Sequence, residues 1–217
     1  MPNYFKLARD PISSYSHFIG AIGSAAATVL LIIKTLVSSP FSAVKFVSCL
    51  IFGLSLTMLY SASYIYHYVK VSPKVILALR KLDHSMIYVL IAGTYTPLLL
   101  SILTPVKAAV FTSAIWFIAF SGIIMKICWI NAPRWLGTAL YIAMGWAILA
   151  DVTALAAMPA GAVIYLVLGG VAYTAGGIIY GLKKPNISKI FGFHELFHIF
   201  VLLGSLLHFI MVYFYLA

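Results

Sequence analysis

Seven stretches of this chain are apolar over the length needed to cross a bilayer: Tyr15–Leu36, Phe41–Tyr68, Met86–Leu103, Ala108–Met125, Trp135–Met158, Gly161–Leu182 and His194–Ala217. A spanning helix takes about 20 mostly apolar residues, so seven would use about 140 of the 217 and leave only short connections. Each of the six connections holds a proline (Pro40, Pro73, Pro105, Pro133, Pro159, Pro185), which lacks a backbone donor and interrupts helices. Only Pro97 falls inside a stretch; neighbouring hydroxyls are expected to compensate and the helix to kink there. Charged residues make up 8% of the chain and apolar ones 64%. The charged share of soluble domains is roughly 25%, and so few charges cannot dress a water-facing surface. A soluble domain is excluded. The expected fold is all-α, a single integral membrane domain over 1–217 built as a seven-transmembrane helix bundle.

The net charge of +10 does not indicate nucleic acid as a partner, because the basic residues are dispersed in small clusters between apolar stretches. They alternate instead. Lys6 and Arg9, Lys70, Lys74, Arg80 and Lys81, Lys126 and Arg134, and Lys183, Lys184 and Lys189 fall on one side; Lys34, Lys45 and Lys107 fall on the other. The positive-inside rule then puts the N-terminus in the cytoplasm and the C-terminus outside. The first stretch is too long for a signal-peptide core and is expected to stay in the mature protein. Gly20/Ser24, Gly23/Ala27 and Ala172/Gly176 are small residues four apart, suited to close helix approach in lipid. Cys49 and Cys128 fall near opposite membrane faces and are expected to be buried, unreactive thiols.

Ionisable groups inside a bilayer are costly, so function is sought where they occur. His67 closes the second stretch, Asp83 opens the third, and His194 and His198 open the seventh; all four reach the cytoplasmic face. Ser63 and His67 are four apart, as are His194 and His198, so each pair lies on one helix face. Two imidazoles at that spacing and a third from another helix give three nitrogens with an open fourth position, the pattern of a catalytic zinc. Asp83 is then placed to orient or deprotonate a water on the cation, and Ser63 to donate to that water, to Asp83 or to a substrate oxygen. His17 has the right depth but no paired spacing, which favours a capping or interfacial role. His84 projects about 100° from Asp83, and His208 lies about 15 Å beyond His198 along the helix. Asp151 belongs to the outer half as an interfacial or paired acid. The segment His194-Glu195-Leu196-Phe197-His198 also matches the H-E-x-x-H pattern, which makes an intramembrane metalloprotease the rival reading.

Ser63-x-x-x-His67, Leu82-Asp83-His84-Ser85 running into Ala92-Gly93-Thr94-Tyr95-Thr96-Pro97, and His194-x-x-x-His198 with Gly204-Ser205 and His208-Phe209 together resemble the hemolysin III family. These proteins are bacterial relatives of the progestin and adipoQ receptors, in a wider group of membrane hydrolases that includes alkaline ceramidases. Asp10-Pro11, His17-Phe18-Ile19-Gly20 and Gly145-Trp146 extend the resemblance over nearly the whole chain. The resemblance implies seven helices and zinc near the cytoplasmic face, with His67, His194 and His198 as ligands, Asp83 contacting zinc through water, and Ser63 as the accompanying serine. It requires only H-x-x-x-H on the last helix, so Glu195 is incidental, a charge favoured at a helix N-terminus.

The leading expectation is a zinc-dependent hydrolase of a lipid amide or ester in the bacterial cell (inner) membrane, with Asp83 and Ser63 as catalytic groups. Two alternatives are a sensory or receptor-like protein that binds a lipid or fatty acid within the bundle around a structural zinc, and a membrane-permeabilising hemolysin.

Overall fold

The computed structural model describes residues 7–188 and 190–217, so Lys6 and Lys189, counted above among the cytoplasmic charges, lie outside the described residues. Among the described residues all regular structure is helical: α1 (Pro11–Val37), α2 (Ala43–Tyr68), α3 (Pro73–Ile102), α4 (Pro105–Cys128), α5 (Arg134–Gly145), a 3-10 turn (Ala147–Ala150), α6 (Val152–Ala156), α7 (Ala160–Leu182), α8 (Phe193–Met211) and a terminal π-helical turn (Val212–Leu216). Six of these helices are long and apolar enough to cross a membrane. Their outward faces carry bare apolar side chains such as Ile22, Leu54, Phe117, Ile164 and Leu206, a surface suited to acyl chains.

The prolines act as expected of their position. Pro73 and Pro105 start α3 and α4, where a missing N–H costs nothing, and Pro133 and Pro159 stand just ahead of α5 and α7. Pro97 lies within α3, flanked by Thr94 and Thr96, but their hydroxyls donate to the carbonyls of Leu90 and Ala92 at 2.8 Å each and not, as expected, to the Gly93 carbonyl that the proline frees.

Two boundaries differ from the sequence expectation. The third helix begins at Pro73 and not at Met86, so Asp83 sits three turns inside it; the polar turn with Arg80 and Lys81 extends the helix beyond its apolar part, where hydropathy is blind. The fifth stretch, Trp135–Met158, is not one helix. It breaks after Gly145, and Tyr95 of α3 fills the break: its hydroxyl donates to the Gly145 carbonyl at 2.8 Å and accepts from the Ile148 N–H at 2.9 Å. Backbone groups freed inside a membrane protein must find such partners, and here one side chain satisfies two. Asp151 then caps α6 and pairs with Lys107 at 2.8 Å, as expected of a paired acid.

The helices close a ring. α1 packs on α2 and α8, α2 on α3, α3 on α4 and α5, α5 on α7, and α7 on α8. Close approach depends on particular glycines. A Cβ on Gly93 would lie 2.7 Å from Cβ of Ser55, and one on Gly20 would lie 2.8 Å from both Tyr60 and Leu202. Gly23, by contrast, faces open space, so the expected Gly23/Ala27 contact does not form. Gly93→Ala is therefore expected to destabilise the α2–α3 contact by about 1–3 kcal/mol, the range for overpacking. A thermal melt in detergent checks this, with Gly23→Ala unchanged as the control. Cys49 is buried as expected, but Cys128 is exposed, because α4 ends there and turns its last residue outward.

Candidate metal centre

The site begins with how the N-terminal segment is tied down. The Arg9 and Asp10 N–H groups donate to the carbonyls of Tyr68 and His67 at 3.1 and 2.9 Å, fastening the chain ahead of α1 to the last turn of α2. That places Asp10 Oδ2 2.9 Å from His67 Nδ1, and the same oxygen accepts from Arg9 Nε at 3.0 Å. Burial raises the Asp10 carboxyl, but the His67 hydrogen bond and the Arg9 guanidinium outweigh it and hold it below the usual carboxylate range. An ionised carboxylate only accepts, so His67 Nδ1 is the donor and Nε2 is the nitrogen available to a metal.

α8 brings the other two imidazoles. Its first turn is closed by Glu195, whose Oε2 accepts from the Gly192 N–H at 2.9 Å while Oε1 accepts from Ser13 Oγ at 2.8 Å. Both carboxylate oxygens are thus engaged at the helix N-terminus, the capping role expected of Glu195. One turn on, His198 Nδ1 points to the Ser13 carbonyl at 3.3 Å. A carbonyl only accepts, so this nitrogen too is protonated and Nε2 is left free. His67 Nε2 and His194 Nε2 lie 3.2 Å apart, and the three rings of His67, His194 and His198 each offer a nitrogen within 4.8 Å of the others.

These donors fit a metal. Nitrogens bound tetrahedrally to zinc at 2.0–2.1 Å stand about 3.3 Å from one another, close to the His67–His194 separation. Two of the three rings also have the second nitrogen held by an oxygen acceptor, which fixes the tautomer that ligates.

Asp83 and Ser63 face the same place. Asp83 has Ser63 and His67 as its electrostatic neighbours. Both residues, with His194 and His198, line an elongated cavity that continues past Leu90, Thr94 and Tyr95 to Leu98, Leu166 and His208. From Arg80 to Leu98 along α3 the cavity spans about 27 Å. His208, as expected, is remote from the triad, at the far end beside the Leu166 carbonyl. His84 stays outside the triad, yet it also lines the cavity.

His17 and Asp10 join the site against or beyond the expectation from sequence. His17 is neither a cap nor interfacial: it is 3% exposed and stacks on His198, with ring centroids 3.7 Å apart and planes within 6°. A lone His in the first helix carries no spacing signal for a ring on the last one. Asp10 precedes α1 by a single residue, and nothing local ties it to a histidine 57 positions away.

The haemolysin-III-related family model matches residues 5–209. The chain belongs to this family. Similar relatives include the hemolysin-3 homolog of Bacillus subtilis (strain 168), 38% identical over 97% of this chain and 96% of the relative. Hemolysin-3 of Bacillus cereus is 37% identical over 94% of this chain and 90% of its own length. Alignment over nearly full length means that these hemolysin III proteins share the helical membrane domain as a whole.

Proposed function

We propose that this protein is a zinc-dependent membrane hydrolase acting on an amide or ester bond of a lipid, with its site just inside the cytoplasmic face. The observation that carries this reading is the convergence of three imidazoles, two with their ligating tautomer fixed, beside a cavity that two of them line together with Asp83 and Ser63. The bundle crosses the membrane seven times, N-terminus inside, with α5, the 3-10 turn and α6 as one broken crossing. Supporting this, Arg134 and Gly137 of α5 line the cavity near His194, while Asp151 meets Lys107 at the opposite end.

His67, His194 and His198 would hold the metal, which when bound would supply Lewis acidity to the scissile carbonyl and to water. Asp10, through His67 Nδ1, and Ser13, through His198 Nδ1, orient two of the ligands. Asp83 takes the proton from the attacking water and returns it to the leaving group, and Ser63 holds the carboxylate in place for both transfers. The dry walls of the cavity take the acyl chain and keep bulk water from the site.

The test is direct. The purified protein in nanodiscs is given an N-acyl lipid amide, and fatty acid release is followed by mass spectrometry. Release that stops with chelator and returns with zinc supports the reading; release unaffected by chelation contradicts it. Asp10→Asn keeps the shape of the side chain but loses its charge, and is expected to weaken metal affinity about 10–100-fold, the range for such outer partners. Competition against a chromophoric chelator measures it. The relatives' hemolysin name supports a second reading, membrane permeabilisation; dye leakage from liposomes that persists in the metal-free protein would favour it.

A further inference from the structure

Three cations line the mouth of the cavity beside the histidines: Arg80 of α3, Lys126 of α4 and Arg134 of α5. The alternation of charge along the sequence makes them orientation signals, which would leave them facing lipid headgroups and water. Lys126 does not fit that role. Only 5% of it is exposed, and its ammonium lies where a Cβ on Gly137 would come within 2.6 Å, so a glycine in α5 makes the room it occupies. Arg80 acts on it as a like charge, and both act on His84. Arg134 lies over the rings of Tyr180 and Phe193, next to His194.

No carboxylate lies within ion-pair distance of them among the described residues. The chain has four acidic residues. Asp10 serves Arg9 and His67, Asp151 pairs with Lys107, Glu195 takes Ser13 and the Gly192 N–H, and Asp83, which lines the same cavity, forms an ion pair with none of the three. Among the described residues none of the three cations takes part in an ion pair. A buried ammonium kept near a second cation without a counterion is costly unless something anionic arrives.

We propose that Arg80, Lys126 and Arg134 form a subsite for the phosphate headgroup of a lipid whose acyl chain lies in the cavity. A phosphomonoester brings a charge of about −1.5 to −2 and three acceptor oxygens, which suits two guanidinium forks and an ammonium better than a single carboxylate does. The apolar cavity that opens from the same mouth toward Leu98 and Leu166 commits the site to a lipid and not to free phosphate. The subsite deepens the hydrolase reading by naming the headgroup of its substrate, but binding there does not need the metal.

Native mass spectrometry of the full chain in a neutral detergent tests this with dioleoyl phosphatidic acid, dioleoyl phosphatidylcholine and inorganic phosphate as probes. The wild-type protein is expected to retain phosphatidic acid over phosphatidylcholine by about tenfold or more, the effect of a charge-assisted contact. Lys126→Met and Arg134→Gln should each bring that ratio down severalfold, while Lys45→Met, at the opposite end, leaves it unchanged. Arg134 is exposed, so its variant reports even if the buried substitution fails to fold. Treatment of the wild-type protein with a chelator should keep the ratio, so that failure of the metal reading and failure of this one are told apart. A ratio near one in the wild type overturns the proposal, as does a ratio unmoved in the folded cation variants or lost on chelation. Inorganic phosphate binding as tightly as the lipid would make the site one for the free anion and overturn its assignment to a lipid.

Discussion

Replacing His198 by alanine is expected to reduce bound zinc from about one equivalent per chain to near zero after dialysis, measured by plasma mass spectrometry. His67→Ala should do the same. Three-nitrogen sites owe their affinity to simultaneous ligation, so losing one of three ligands costs orders of magnitude in affinity. The two variants remove different helices from the site. His67 belongs to the last turn of α2 and His198 to the second turn of α8, which makes a common loss hard to ascribe to damage in one element. His208→Ala, at the far end of the cavity, should retain full occupancy and serves as the control for a missing buried imidazole. Full zinc in a folded His67→Ala or His198→Ala protein would refute the ligand assignment.

The second large effect is expected from Asp83→Asn. The amide is the same size as the carboxylate, but it cannot take a proton from water. Loss of a general base slows a reaction by about 10²–10⁴-fold. Hydrolysis of the lipid amide should fall by that factor while zinc content stays near one equivalent, a separation that a merely structural role would not produce. Ser63→Ala should fall less, because it removes the group that holds the carboxylate and leaves the carboxylate itself. Undiminished turnover in Asp83→Asn would remove Asp83 from the chemistry and return the choice of base to the remaining groups of the cavity.

Much of this was legible in the sequence because lipid imposes a simple rule. A helix that crosses it must be apolar throughout, so α1, α2, α4, α7 and α8 announce themselves, and an ionisable residue within or beside them is conspicuous. His67, His194 and His198 gather as their i, i+4 spacing and common depth imply. The rule fails where an interaction partner is decided in three dimensions. The break after Gly145 depends on Tyr95, fifty residues earlier, whose hydroxyl replaces the lost backbone partners. The extra turns of α3 before Met86 are polar and therefore silent in hydropathy. Asp10 and His17 join the site through a tertiary hydrogen bond and a ring stack that no local period encodes. Lys126 reads as one more orientation charge until Gly137 is seen to make space for its ammonium.

The most direct measurement is anomalous X-ray scattering collected on either side of the zinc absorption edge from crystals of the protein as purified. A single anomalous peak is expected within bonding distance, about 2.0–2.1 Å, of one nitrogen each from His67, His194 and His198. Ordered density for the three rings with no anomalous signal among them, or a metal peak elsewhere in the bundle, would contradict a zinc centre built from these residues.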